Sequence, residues 1–305
     1  MPPRTDEGGE DPRGPGRLWV VAAPLGNPDD LSPRARAALA AADVVLAEDT
    51  RSARRVLAQL GAPTRRPNQL ILSCFDANEG ARAQDAVGRI AAGQNVALLS
   101  EAGTPLVSDP GFRVVTAVIE AGLRVQPIPG PSAILAALVG SGQPADRFTF
   151  LGFPPRKSGA RRRLFDSLRL HPFTLVLYES PLRTADTLED LAAAFGRQRT
   201  ACVARELTKT HEEFARGSLG ALCDRYRVDR PLGEITLVVS GADPDAADAD
   251  HGITDEVLAE RAAQLLATGQ SARDVTDELA MKSSRSRREI YAIVTAVSAG
   301  PHRTQ

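Results

Sequence analysis

Three clusters of polar residues each close an apolar run and could carry acid–base chemistry. Glu48-Asp49-Thr50-Arg51 follows VVLA, Tyr178-Glu179-Ser180 follows TLVL, and Arg205-Glu206-Leu207-Thr208-Lys209 follows TACVA. A carboxylate or amine held at a strand end and facing a cleft can take or give a proton, or offset charge that develops during reaction. Glu48, Asp49, Glu179 and Lys209 are the candidates, with Arg51 as an orienting cation. Asp49 fits a cap for a helix beginning near Arg51 equally well. Three other turns mix glycine with proline: Pro24-Leu25-Gly26-Asn27-Pro28, Glu101-Ala102-Gly103-Thr104-Pro105 and Pro127-Ile128-Pro129-Gly130-Pro131-Ser132. Glycine admits close backbone approach and proline fixes loop shape, so together they predict a rigid pocket of backbone donors and acceptors.

The ligand of that pocket is constrained by what is missing. No GxGxxG follows the first apolar run and no GxxxxGK[ST] occurs, so a phosphate cradle is not indicated and a neutral or zwitterionic ligand is. GxSxG and HExxH are absent too. His211 is the sole histidine beside a motif, which argues against a histidine-based triad.

The elements that must position these groups alternate along the chain. Apolar runs at 18–24, 44–49, 69–74, 95–103 and 124–130 are separated by helical patterns, the signature of a mainly parallel sheet covered on both faces. A second block holds runs at 148–153, 174–180, 200–208 and 234–241, with helical stretches near 158–169, 181–195 and 217–227. Its last two runs are read as following each other with little helix between them, which predicts a mixed sheet. The expectation is two α/β domains, 17–130 and 131–242, joined near 130–146, with a disordered leader over 1–16. An acidic linker follows at 243–252, then a small C-terminal helical module at 253–300. In the module Leu258, Ala262, Leu265 and Leu266 share a face, Ser271 with Asp274 resembles a helix start, and Ser286 with Glu289 forms a capping-box pattern before Ile290. A helix-turn-helix and a plain helical cap or dimerisation element are both compatible with it.

With 305 residues and 43 % hydrophobic content the chain can bury two cores. Lys+Arg of 37 against Asp+Glu of 38 excludes an all-over basic coat. One local run stands out: 156–163 (RKSGARRR) places Arg156, Lys157, Arg161, Arg162 and Arg163 together without an acid, shaped for a phosphate backbone. Aromatics at 4 % leave little for base stacking, so recognition by shape and phosphates, with steep salt dependence, is expected. Three scattered cysteines indicate neither a disulfide framework nor a metal site, and a reducing cytoplasm suits them. No apolar run reaches membrane-span length.

Taken in order, APLGNPDDLS, AEDTR, SEAGTPLVSDPG, IPGPSA, GFPPRKSGARR, YESP, ARELTK and GEITLVVSG resemble the ribosomal RNA small subunit methyltransferase I family of the tetrapyrrole methylase superfamily, from about Leu18 to Gly241. The resemblance implies two α/β domains of the tetrapyrrole methylase type with a cofactor cleft between them, usually as a homodimer. It implies S-adenosylmethionine-dependent methylation of the ribose 2′-hydroxyl of a cytidine (position 1402 by rRNA convention) in the decoding region of 16S rRNA, free or within the 30S subunit, with no metal. The superfamily pattern places the cofactor against Pro24 and Gly26, Ala102-Gly103-Thr104 with Val107, Ser132-Ala133, Tyr178 and the neighbourhood of Thr236. Glu101 stands where the family commonly has aspartate, Leu182 where it often has histidine, and Ala23 where threonine or serine is frequent. The competing readings are a precorrin-type tetrapyrrole C-methyltransferase and a non-catalytic nucleic-acid-binding module.

Overall fold

The computed structural model describes residues 14–59, 68–242, 255–282 and 287–299. The leader up to residue 13, the linker at 243–252 and the Ser286 cap lie outside the described residues. Gly16, assigned above to the leader, is already tied to the fold by a hydrogen bond from its N–H to the Ile90 carbonyl (2.8 Å).

The first sheet contains β1 (Arg17–Val21), β2 (Val44–Ala47), β3 (Leu70–Ser73), β4 (Val96–Leu99) and β5 (Arg124–Ile128), in the order β3-β2-β4-β1-β5. Every pairing in it is parallel. Its strands are short and apolar on both sides because helices cover both faces. Val45, Ala47, Ala97 and Leu99 point to one face, where α1 (Pro33–Ala41) and α2 (Thr50–Gln59) pack through Ala35, Leu39, Ala53 and Leu57. Val44, Leu46, Val96 and Leu98 point to the other, against Ala86 and Ile90 of α3 (Glu79–Ala91) and Val114 and Val118 of α4 (Phe112–Glu120). Ser32 starts α1 by accepting the Ala35 N–H (3.1 Å), with Pro33 in the first turn. The connection leaving β1 runs over one face and that leaving β4 over the other, which opens a crevice at their carboxyl ends.

Residues 133–141, read from sequence as part of the join between domains, form a helix, α5 (Ala133–Ser141), capped by Ser132. It belongs to the second layer: Ile134, Ala137 and Leu138 pack on Val176, Cys202, Ala204 and Val238, and Leu25 from the turn after β1 enters the same cluster. One apolar cluster therefore spans the two domains.

The second sheet has the order β6-β7-β10-β8-β9, with β6 (Phe148–Phe150), β7 (Thr174–Glu179), β8 (Thr200–Arg205), β9 (Glu213–Ser218) and β10 (Ile235–Val239). It is mixed as expected, but for a different reason. Between the runs at 200–208 and 234–241 lie both β9 and a helix, α8 (Leu219–Val228), and the mixing arises because β10 inserts antiparallel between β7 and β8. β9 escapes sequence reading because EFARGS is an edge strand with Ala215 alone fully buried. α6 (Ser158–Ser167), α7 (Thr184–Phe195) and α8 cover the face opposite α5, around Phe165, Leu188, Leu191 and Leu219.

Beyond the linker, α9 (Asp255–Ala267), α10 (Ala272–Lys282) and α11 (Arg287–Ala299) share a small core of Leu258, Ala262, Val275, Leu279, Ile290 and Val294. Ser271 and Asp274 form the expected helix start: the Asp274 N–H donates to Ser271 Oγ (3.2 Å) and that hydroxyl donates back to the carboxylate (2.7 Å).

Candidate active site

The three glycine–proline turns are joined at the carboxyl ends of β1, β4 and β5. Ala23 and Gly103 exchange two backbone hydrogen bonds (2.8 and 3.1 Å), an isolated antiparallel bridge between the turns after β1 and β4. The Thr104 hydroxyl donates to the Pro131 carbonyl (3.0 Å), which fastens the third turn. Ala23 contributes here through its main chain, so the methyl that replaces a hydroxyl at this position leaves the bridge intact.

Above these turns lies a cavity of about 390 Å³ with walls from both sheets. The first domain contributes Leu25, Glu101, Ala102, Gly103, Thr104, Val107, Ser108 and Asp109. Ser132 and Ala133 come from the start of α5, and Phe153, Tyr178, Glu179, Ser180, Pro181, Gly233, Glu234, Ile235 and Thr236 from the second domain. Of the positions assigned to the cofactor, Ala102, Gly103, Thr104, Val107, Ser132, Ala133, Tyr178 and Thr236 line it. Pro24 and Gly26 do not; their neighbour Leu25 does. Phe153, Ser108, Asp109 and Glu234 were missed. Phe153 and Tyr178 form an aromatic wall, with ring centroids 5.4 Å apart. Four carboxylates line the cavity and, among the described residues, no lysine or arginine does. Glu179 and Glu234 have cationic partners behind the wall, and Glu101 and Asp109 have none among the described residues, a pattern that suits a cationic or zwitterionic ligand and opposes a phosphate.

The five catalytic candidates do not converge. Glu179 is fully buried and committed: it accepts the Thr187 hydroxyl (2.6 Å) and the Ser180 N–H (2.7 Å) and pairs with Arg183 (2.5 Å). It anchors the turn after β7: both oxygens are engaged, Oε1 by the Ser180 N–H and Arg183 and Oε2 by Thr187, so its contacts are structural. Asp49 is a cap after all: the Arg51 N–H donates to it (2.7 Å), and this bond with the adjacent guanidinium holds its carboxyl below the usual range. Arg51 points outward, 84 % exposed. Lys209 lies across the turn after β1, so close that a Cβ at Gly26 would meet its Cγ at 2.3 Å. Its ammonium binds Glu206 (2.9 Å) and Glu234 (3.2 Å). Burial pulls its pKa down, but the two carboxylates outweigh burial and hold it above the ordinary value, so Lys209 stays charged and clamps the domains instead of accepting a proton. The Asn27 N–H donates to Thr208 beside it (3.2 Å), completing the clamp. Glu48 is exposed and outside the cavity wall; partial burial and Glu101 raise its carboxyl.

Asp109 is the perturbed group on the cavity wall. Burial, with Glu48 and Glu101 nearby, pushes it up to about 6, and burial plus Asp109 pushes Tyr178 to about 12. Its sequence signal was available in SEAGTPLVSDPG, but an Asp before Pro-Gly reads as an ordinary turn residue.

The basic segment also divides. Arg156, Lys157, Arg162 and Arg163 are exposed. Arg161 is not available to RNA: it is 4 % exposed, with Nε and a terminal nitrogen on Asp190 of α7 (2.8 and 2.6 Å). The run has no acid in sequence, yet the fold brings one to it.

A family model described as Tetrapyrrole (Corrin/Porphyrin) Methylases matches residues 17–223. The chain is 39 % identical to Ribosomal RNA small subunit methyltransferase I of Synechocystis sp., over 91 % of this chain and 97 % of that protein. It is 43 % identical to the protein of that name in Mycobacterium tuberculosis strain H37Rv, over 92 % and 94 %. Among solved structures it resembles the methyltransferase CobJ (TM-score 0.54, 23 % identity, 74 % of this chain and 95 % of that one). It also resembles a uroporphyrin-III C-methyltransferase from Thermus thermophilus complexed with S-adenyl homocysteine (TM-score 0.51, 21 % identity, 73 % and 97 %). At these identities the two structures speak to the fold alone.

Proposed function

Because the chain belongs to the tetrapyrrole methylase family and, within it, to the ribosomal RNA small subunit methyltransferase I proteins, we propose that it transfers a methyl group from S-adenosylmethionine to the 2′-hydroxyl of a cytidine ribose in the decoding region of 16S rRNA. The observation that carries this reading is the interdomain cavity, walled by stitched backbone turns and acids with no cation among its described lining residues. Such a lining fits S-adenosylmethionine, whose sulfonium and ammonium are positive and which has no phosphate. When bound, that group supplies an electrophilic methyl.

The chain's own residues bind and orient. Main-chain groups of Ala102, Thr104, Ser132 and Ala133, held in place by the Gly103 bridge, offer donors and acceptors to the zwitterionic end, and Phe153 with Tyr178 offers an apolar wall to the adenosine. The hydroxyl must be held about 3–3.5 Å from the methyl carbon. Arg156, Lys157, Arg162 and Arg163 begin three residues beyond Phe153 in the chain, where they can hold phosphates of the RNA beside the cavity mouth. The apolar side chains Phe112 and Ile119 on α4, and Leu135 and Val139 on α5, are exposed and suit a homodimer contact, which light scattering on the purified protein reads directly. No helix among the described residues is long and apolar enough to cross a membrane. An rRNA substrate supports a cytoplasmic site of action.

The decisive experiment incubates the protein with labelled S-adenosylmethionine and 30S subunits from cells lacking the modification, then maps the label. Label on one ribose 2′-oxygen of 16S rRNA is expected. Label on a precorrin instead, or none anywhere, overturns the reading.

A further inference from the structure

The turn from Pro105 to Gly111 carries strain and an unclaimed acid. Leu106 and Ser108 both sit at positive φ (72° and 67°), a region that costs any residue with a side chain and survives where the surroundings enforce it. Asp109 follows on the cavity wall, partly buried, and among the described residues it makes no hydrogen bond or ion pair. Its obvious structural task would be to cap α4, which begins three residues later. That task is already taken: the buried Glu79 of α3 accepts the N–H groups of Gly111 and Arg113, both at 2.8 Å. The other acids of the wall are placed differently. Glu179 has both oxygens engaged, Glu234 is paired with Lys209, and Glu101 is exposed at the rim.

We propose that Asp109 is the general base of the reaction, taking the proton of the ribose hydroxyl. This rests on the methyltransferase reading above. Asp109 accepts the proton as the hydroxyl oxygen bonds to the methyl carbon, while the carbon–sulfur bond breaks and its electron pair stays on sulfur. The products are a methoxy ribose, a neutral thioether and a protonated carboxyl that returns its proton to solvent. The groups facing Asp109 from neighbouring elements are Glu48 after β2, Glu101 after β4 and Tyr178 on β7. Burial, with the two acids adding to it, raises its pKa to about 6, close to the operating pH, where a general base combines availability with driving force.

Asp109→Asn keeps the shape and removes the base. Under single turnover with saturating cofactor and unmodified 30S subunits, the wild-type rate is expected to fall about tenfold per pH unit below about 6, and the variant to be roughly 10²-fold slower with that limb gone. Asp109 is also one of the four wall acids, so calorimetric affinity for S-adenosylmethionine should fall too, but by far less than the roughly 10²-fold loss of rate, which saturating cofactor keeps separate from binding. A second readout needs no substrate. A carboxyl whose folded pKa is raised from 3.8 to about 6 loses stability as pH rises through that window. Asp109→Asn should therefore melt higher than wild type at pH 7.5, with the gap closing toward pH 4. A variant within threefold of the wild-type rate, a surviving acidic limb, or a loss of cofactor affinity matching the loss of rate overturns the assignment. A wild type that labels no rRNA refutes the methyltransferase reading instead, and the assignment with it.

Discussion

Replacing Arg161 with alanine separates the structural arginine of the basic run from its solvent-facing neighbours. In the native protein the guanidinium makes two contacts to one Asp190 oxygen, and Ser158 Oγ reaches both oxygens at 3.0–3.1 Å. With side chains 4 % and 10 % exposed, the pair links α6 to α7 beside the apolar cluster around Phe165 and Leu191. Removing the cation leaves Asp190 with one hydroxyl partner, and an uncompensated buried charge of this kind costs about 3–5 kcal/mol. Against a total stability of roughly 5–15 kcal/mol, that is a large shift of the denaturation midpoint. Urea unfolding should be followed by far-UV circular dichroism, because the single tryptophan, Trp19, lies in β1 of the other domain. Arg162→Ala and Arg163→Ala should stay within about 0.5 kcal/mol of wild type and instead weaken RNA binding in a salt-dependent way. Arg161→Met combined with Asp190→Leu should recover most of the loss, since an apolar pair of similar volume replaces the ions. A loss under about 1 kcal/mol for Arg161→Ala, or equal losses at Arg162, would refute this division of the segment.

Other outcomes follow from the same geometry. Burial pushes Cys74 and Cys202 to about 11 and raises Cys223 as well, so a thiol reagent at pH 8 should titrate no cysteine in the folded protein and all three after denaturation. Gly111→Ala should cost roughly 2–4 kcal/mol, because φ is +125° there and a Cβ would sit 2.4 Å from Leu98; thermal melting measures it, and an unchanged midpoint would contradict the structure. Glu179→Gln should lower stability by about 3 kcal/mol through loss of the buried charge opposite Arg183, read by the same urea titration.

The alternation of apolar runs was enough to predict two α/β layers, because runs too short for a helix recur between longer stretches of helical period. Strand order was not legible: β1 sits between β4 and β5, a crossover that only the packing of α1 and α4 on opposite faces decides. β9 left no alternation to read, since an edge strand needs few buried residues. In the site, the glycine–proline turns could be read because their purpose is local backbone shape. Charges could not. Arg161 finds its acid 29 residues away, Glu79 caps a helix 32 residues downstream, and Lys209 reaches Glu234 across 25 residues. A charge run in sequence therefore mixes solvated, clamped and buried members that only three-dimensional partners distinguish.

The bridge between Ala23 and Gly103 bears on how such a protein can change over generations. A binding floor whose donors and acceptors are main-chain groups has nothing at most positions for a point mutation to delete. The Ala23–Gly103 bridge uses no side-chain atom, so a different small side chain at position 23 would leave both hydrogen bonds in place. Mutational tolerance is thus built into the main-chain floor of the cavity, and the side chains around it are left free to vary.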